Sequence, residues 1–290
     1  MPEQPRFALT VTDLAASIAF AVDFLGFKLA ETQPESADMK YLLDSDGDPM
    51  MLTTPQVQNV RERLAEPRLV FKPGDTLDFL CEDIETQRAT FASRGLTSVR
   101  EETNALGERK LVVVAPDNYK IVYIMPVKRS PEETIALYAQ GGEDVEAAIA
   151  GLSEADLDLT RAPGEWTIRQ IVHHLAESAS LSLMTIKAAL AQSGSTYVRP
   201  PYDQEHWAET LAYDRRPIEP SLALIKAIHA HITQLFQYVP DCWDHYTMMK
   251  FPDQEGEGRK LTLGYLIDIQ IGHTADHCDE IRETRRVHNR

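Results

Sequence analysis

Histidine is absent from the first 172 residues of this 290-residue chain; all nine lie between positions 173 and 288. Imidazole chemistry is therefore confined to the second half. Cysteine is scarce too. Cys81, Cys242 and Cys278 are three in number, far apart, and form no C-x-x-C pair, which argues against a disulfide framework or a thiolate zinc site. No apolar run approaches the ~18 residues that span a bilayer. The opening MPEQPRFALT lacks the basic-then-apolar pattern of a secretory leader, so a cytoplasmic location is the expectation. Clustered positive charge is missing as well. Residues 1–128 carry 14 Lys+Arg against 20 Asp+Glu, and residues 129–290 carry 15 against 25. Neither nucleic acid nor an anionic membrane is the expected partner, because both need basic clusters.

What is present divides in two. In the first half, Phe7-Ala-Leu-Thr-Val11 reads as a strand, Asp13 as a helix cap, and Leu25-Gly26-Phe27 as the end of that unit. Short strands follow at Tyr41-Leu-Leu43 and Met50-Met-Leu52, around a turn Asp46-Gly47-Asp48. The order then recurs: strand Asp78-Phe-Leu-Cys81, cap Asp83, closing Gly95-Leu96, and strands Lys110-Leu-Val-Val-Val114 and Ile121-Val-Tyr-Ile124 around Pro116-Asp117-Asn118. Matching punctuation predicts two copies of one module. After the polar stretch around Lys128-Arg-Ser-Pro131, apolar residues recur at helical spacing over about 131–151, 167–192, 219–239 and 261–286. The expected fold is an α+β domain of two βαβββ modules (1–128), then an all-α four-helix bundle (129–290).

His273 and His277 are four apart in a helical segment, which stacks them on one face. A third imidazole can come from the facing helix at His173 or His174. These two point about 100° apart on a helix, so only one can join the pair. Three neutral imidazoles leave open coordination positions, the arrangement of catalytic rather than structural metal sites. Glu177 lies one turn beyond that pair and is a candidate to orient an imidazole or act as a base. Asp276 and Glu280 flank His277 and could serve in the same way, but read more simply as solvated charge.

Three separated segments resemble the DinB-like, YfiT-type bundle family. They are Glu165-Trp-Thr-Ile-Arg-Gln-Ile-Val-His-His-Leu-Ala-Glu-Ser178, Arg199-Pro-Pro-Tyr-Asp-Gln-Glu-His-Trp207 followed by Glu219-Pro-Ser-Leu-Ala-Leu224, and Gly272-His-Thr-Ala-Asp-His277. The resemblance covers about 160–290. It implies a three-histidine site at His174, His273 and His277 for a divalent metal, zinc or nickel. It also implies metal-dependent hydrolysis, or transfer of a low-molecular-weight thiol. The family's usual further histidine after the first of the terminal pair is Thr274 here.

The first half resembles the vicinal-oxygen-chelate (glyoxalase and bleomycin-resistance) superfamily. Val11-Thr-Asp-Leu-Ala-Ala-Ser-Ile-Ala-Phe20 with Leu25-Gly-Phe27 marks one module, and Asp78-Phe-Leu-Cys-Glu-Asp-Ile84 with Ala115-Pro-Asp-Asn118 the other. The positions at which metal-dependent members carry ligands hold Arg6, Met51, Thr76 and Val122, which are poor ligands for such an ion. A metal-free domain is expected. It would bind a small organic molecule, with Tyr41, Phe71 and Tyr123 lining a pocket, or serve as a homodimerisation unit. The leading functional reading is a metal-dependent enzyme on a small molecule. The alternative is a non-enzymatic resistance protein that sequesters a toxin or antibiotic.

Overall fold

A computed structural model describes residues 4–44, 47–65, 68–104, 106–239, 241–252, 254 and 256–290. The chain forms two compact units, Met1–Lys128 and Arg129–Arg290.

In the first unit, β1 (Phe7–Thr10) leads into α1 (Leu14–Ala19). Asp13 caps that helix by accepting from the Ala16 amide at 2.9 Å, which satisfies an N–H the helix itself cannot. The helix continues as a π turn over Phe20–Leu25 and stops at Gly26, whose φ of +83° suits glycine. β2 (Lys28–Leu29), β3 (Met39–Leu43) and β4 (Pro49–Thr53) follow, and β4 returns parallel to β1. The expected turn between β3 and β4 includes Asp46, which lies outside the described residues. β5 (Leu69–Phe71) adds to the other side of β1, giving the order β2-β3-β4-β1-β5.

The second module repeats the scheme. β6 (Thr76–Leu80) precedes α2 (Ile84–Ser93), capped by Asp83, and then come β7 (Val99–Thr103), β8 (Arg109–Val114) and β9 (Lys120–Met125). β9 again returns parallel to the first strand, in the order β6-β9-β8-β7. Both modules are thus βαβββ units, as the repeated punctuation predicts.

One apolar core serves both modules, with Leu9, Leu25 and Phe27 from the first against Ile84, Phe91 and Leu111 from the second. Tyr119 Oη lies 2.7 Å from the Thr10 carbonyl, and the Thr12 amide donates to Asp117 at 2.9 Å. The space where the modules meet is a void of about 30 Å³, lined by Leu9, Phe20, Met50, Leu77, Phe79 and Ile121 among others. Ligand pockets run to roughly 300 Å³ or more. Tyr123 belongs to the shared core and Phe71 packs against it, while Tyr41 packs on a separate cluster around Met51. The three aromatics therefore do not line one pocket. Met51 and Val122 are buried among apolar residues, and Arg6 and Thr76 are exposed.

The second unit opens with α3 (Pro131–Ile149), where Ser130 and Glu133 form a reciprocal capping box. α4 (Ile168–Ala191) begins with the same device, from Thr167 and Gln170. β10 (Thr196–Val198) and the short α5 (Gln204–Thr210) precede α6 (Glu219–Tyr238), which has Pro220 in its first turn. β11 (Tyr246–Lys250) and β12 (Arg259–Thr262) lead into α7 (Leu263–Val287). The four long helices form the bundle: α3 and α4 each pack against both α6 and α7. Val145, Ile171, Leu175, Ile225 and Ile281 share its core. The bundle also carries a small sheet, β10-β11-β12, that helical periodicity does not announce.

Candidate metal centre

α4 brings His174, and α7 brings His273 and His277, to one place in the bundle. One nitrogen from each ring lies within 4.8 Å of the other two. His174 Nε2 and His273 Nε2 are 3.0 Å apart. Two nitrogens bound at about 2.05 Å to one tetrahedral ion would stand about 3.3 Å apart, so the His174–His273 pair is already near ligand spacing. Ring centroids are 4.7–5.0 Å apart, with interplanar angles from 64° to 89°. The rings present edges to a common point rather than stacking. Among the described residues, no other group of three His, Cys, Asp or Glu side chains converges in this way.

The outer nitrogens are anchored. His174 Nδ1 lies 2.9 Å from Tyr202 Oη, and His277 Nδ1 lies 3.0 Å from Glu280 Oε2. Both anchors leave Nε2 as the nitrogen available to the cluster, and for His174 it meets His273. Trp166 sets its ring edge-on to His174 at 4.8 Å. Burial, with the charge of His277 adding to it, lowers the His174 pKa to about 3. Burial, followed by His277 and His174, drives His273 well below the ordinary histidine value. Both shifts favour the neutral imidazole, which is the protonation state a metal requires.

The sequence leaves His173 or His174 open as the third imidazole, and the two part company here. His173 faces away, with Nδ1 2.7 Å from Ser221 Oγ and Nε2 3.2 Å from the Arg216 carbonyl. His229 stacks on Tyr138 and meets its carbonyl, His245 meets the Leu190 carbonyl, and His288 meets the Thr160 carbonyl. Cys278, next to a cluster histidine in sequence, is buried in the core, and burial pushes its thiol up to about 12. It is an inert packing residue.

Glu177 is half-buried and outside the imidazole group. Its charge acts on Tyr202 and Tyr213. Of the two readings of Glu280, the structure favours the imidazole partner over the solvated charge: it is half-buried and meets His277 Nδ1 at 3.0 Å. Burial works to raise its pKa, but the His277 hydrogen bond and the nearby charges of His277 and Arg161 bring it below the ordinary carboxylate value. Tyr202 and Trp166 are the site residues that residue-by-residue reading passes over, although each lies inside a segment that carries the family resemblance.

A four-helix bundle with three converging imidazoles, joined in one chain to a paired βαβββ domain, defines the class. The chain belongs to the DinB superfamily, whose model matches residues 137–281, and to the Glyoxalase/Bleomycin resistance protein/Dioxygenase superfamily, whose model matches residues 4–177. The second match runs past the last strand of the paired modules, which ends at Met125, and into the helical unit. A Geobacillus kaustophilus protein named "Putative metal-dependent hydrolase" is 28% identical over 155 residues, which is 53% of this chain and 84% of that protein. A Bacillus cereus protein with the same designation is 31% identical over 159 residues, 53% of this chain and 87% of its own. The solved structure of YfiT from Bacillus subtilis is 25% identical with a TM-score of 0.49, covering 57% of this chain and 92% of that one.

Proposed function

We propose that this chain is a metal-dependent hydrolase of a small molecule, with a divalent ion held by His174, His273 and His277. The convergence of three inward-facing nitrogens carries this reading. An all-imidazole donor set suits zinc or nickel, and three protein ligands leave a position for substrate or water. Bound there, the ion supplies Lewis acidity, polarising the scissile group and lowering the pKa of a water. The protein's own part is to fix the rings. Glu280 holds His277, and the edge of Trp166 limits the movement of His174. Glu177, one turn from His174, is proposed as the proton acceptor.

Hydrolysis, rather than thiol transfer, is the reading the relatives' names support. The sequestration alternative gains nothing from the closely filled space between the βαβββ modules. The test is elemental analysis of the purified chain, followed by a panel of small esters, amides and lactones with and without chelation. Hydrolysis should vanish on metal removal and return on re-addition. Glu177→Gln should keep the metal and lose roughly 100-fold or more in kcat. Activity untouched by complete metal removal would defeat the proposal.

A further inference from the structure

The partner of His174 is a tyrosine, and it comes from outside the bundle helices. With Nε2 of His174 turned to the cluster, a neutral ring carries its single proton on Nδ1. That N–H is buried, since His174 is 4% exposed, and Tyr202 Oη at 2.9 Å is the acceptor in reach. A buried donor that loses its only acceptor costs about 1–3 kcal/mol. A ring that can escape this cost by rotating or changing tautomer is no longer held as a ligand.

The tyrosine is itself fixed. It lies just before α5, whose Trp207 packs edge-on against its ring at 5.0 Å and 83°. Asp203 caps that helix through the His206 amide. Glu205, on the same helix, accepts from Trp166 Nε1 at 3.3 Å, and Trp166 also touches His174. Tyr202, Trp207, Glu205 and Trp166 thus form a closed circuit around one imidazole.

We propose that Tyr202 is a positioning residue of the metal centre, whose hydroxyl oxygen accepts the His174 Nδ1 proton and locks Nε2 toward His273 and His277. This rests on the metal-centre reading above and adds the residue that makes α4's contribution usable. Segment 199–210 then controls ligand geometry from outside the four long helices.

The experiment is zinc affinity of the full chain by chelator competition, for wild type, Tyr202→Phe and Tyr202→Gln. Tyr202→Phe keeps the ring and loses the acceptor; it should weaken zinc binding by about 10- to 100-fold, with thermal unfolding of the metal-free protein little changed. Tyr202→Gln offers a carbonyl oxygen and should recover part of the loss. In zinc-loaded wild type, the His174 Nδ1 proton should appear as a slowly exchanging resonance, a reading that does not depend on any variant folding. Wild-type protein that binds zinc while Tyr202→Phe binds within twofold of it overturns this inference alone, as does a rapidly exchanging Nδ1 proton. Wild-type protein that binds no zinc overturns the metal-centre reading itself, and this inference with it.

Discussion

His173 and His174 are consecutive residues of α4, yet one ring is tied to the start of α6 and the other faces α7. His173 meets Ser221 Oγ at 2.7 Å, whereas His174 meets His273 at 3.0 Å. The roughly 100° between successive helical side chains makes this division. Both are buried, at 1% and 4% exposure, so burial does not tell them apart; their partners do.

The division predicts opposite phenotypes. His174→Ala, His273→Ala and His277→Ala should each abolish stoichiometric metal binding. His173→Ala should retain the metal but lose about 2–4 kcal/mol of stability, from a core cavity and two orphaned hydrogen-bond partners. Elemental analysis beside urea unfolding separates the two. Equal metal in wild type and His277→Ala sinks the assignment.

Much of this was legible in the sequence because it is local. Asp13 and Asp83 mark helix starts by chemistry that acts within three or four residues, and the structure puts them there. The i, i+4 spacing of His273 and His277 needs only helical geometry. What was not legible depends on tertiary burial. Glu280 is three residues from His277 on a charged helix, and only its partial burial separates an imidazole partner from a surface carboxylate. The sheet β10-β11-β12 is not legible because strands of three to five residues, the first nearly fifty residues before the second, carry too little alternation. Tyr202 lies in an extended segment with no periodicity at all.

The first domain should supply no second metal site. At the positions where metal-dependent members of the resembled superfamily carry ligands, Met51 and Val122 are buried apolar side chains and Arg6 and Thr76 are exposed non-ligands. Zinc titration of the full-length His174→Ala/His273→Ala/His277→Ala variant by calorimetry should show no site of micromolar affinity. One saturable site in that variant would place ligands in residues 1–128.

Acid should destabilise the metal-free protein partly through His229. This ring is stacked on Tyr138, with its centroid 4.4 Å away and Nδ1 2.7 Å from that residue's carbonyl. Burial lowers its pKa, against the hydrogen bond to Tyr138 and the charge of Asp144, which act to raise it. The folded pKa therefore lies below the unfolded value of about 6.5. In the window beneath 6.5 the unfolded chain takes up a proton that the folded chain refuses, so stability falls as pH falls. Urea midpoints between pH 8 and 5 should drop less steeply in His229→Gln than in wild type. Parallel curves would show that His229 titrates alike in both states.

Gly141 should resist even alanine. In α3 its backbone is helical, so alanine alone would favour the helix by about 1 kcal/mol. A Cβ at this position, however, would lie 2.5 Å from His229 Cε1 and 2.9 Å from Nδ1, with Thr274 Cγ2 at 3.5 Å. The His229 ring has no easy retreat, since Tyr138 covers one face and its hydrogen bond fixes its rotation. Overpacking of this kind costs about 1–3 kcal/mol, which outweighs the propensity gain. Gly141→Ala should therefore lower stability by up to about 2 kcal/mol. The same change made in His229→Ala, where the opposing ring is gone, should be neutral or stabilising. A double-mutant cycle by urea unfolding measures that coupling, expected at about 1–3 kcal/mol. A Gly141→Ala protein as stable as wild type would mean that the α3–α6 contact at His229 is looser than these distances require.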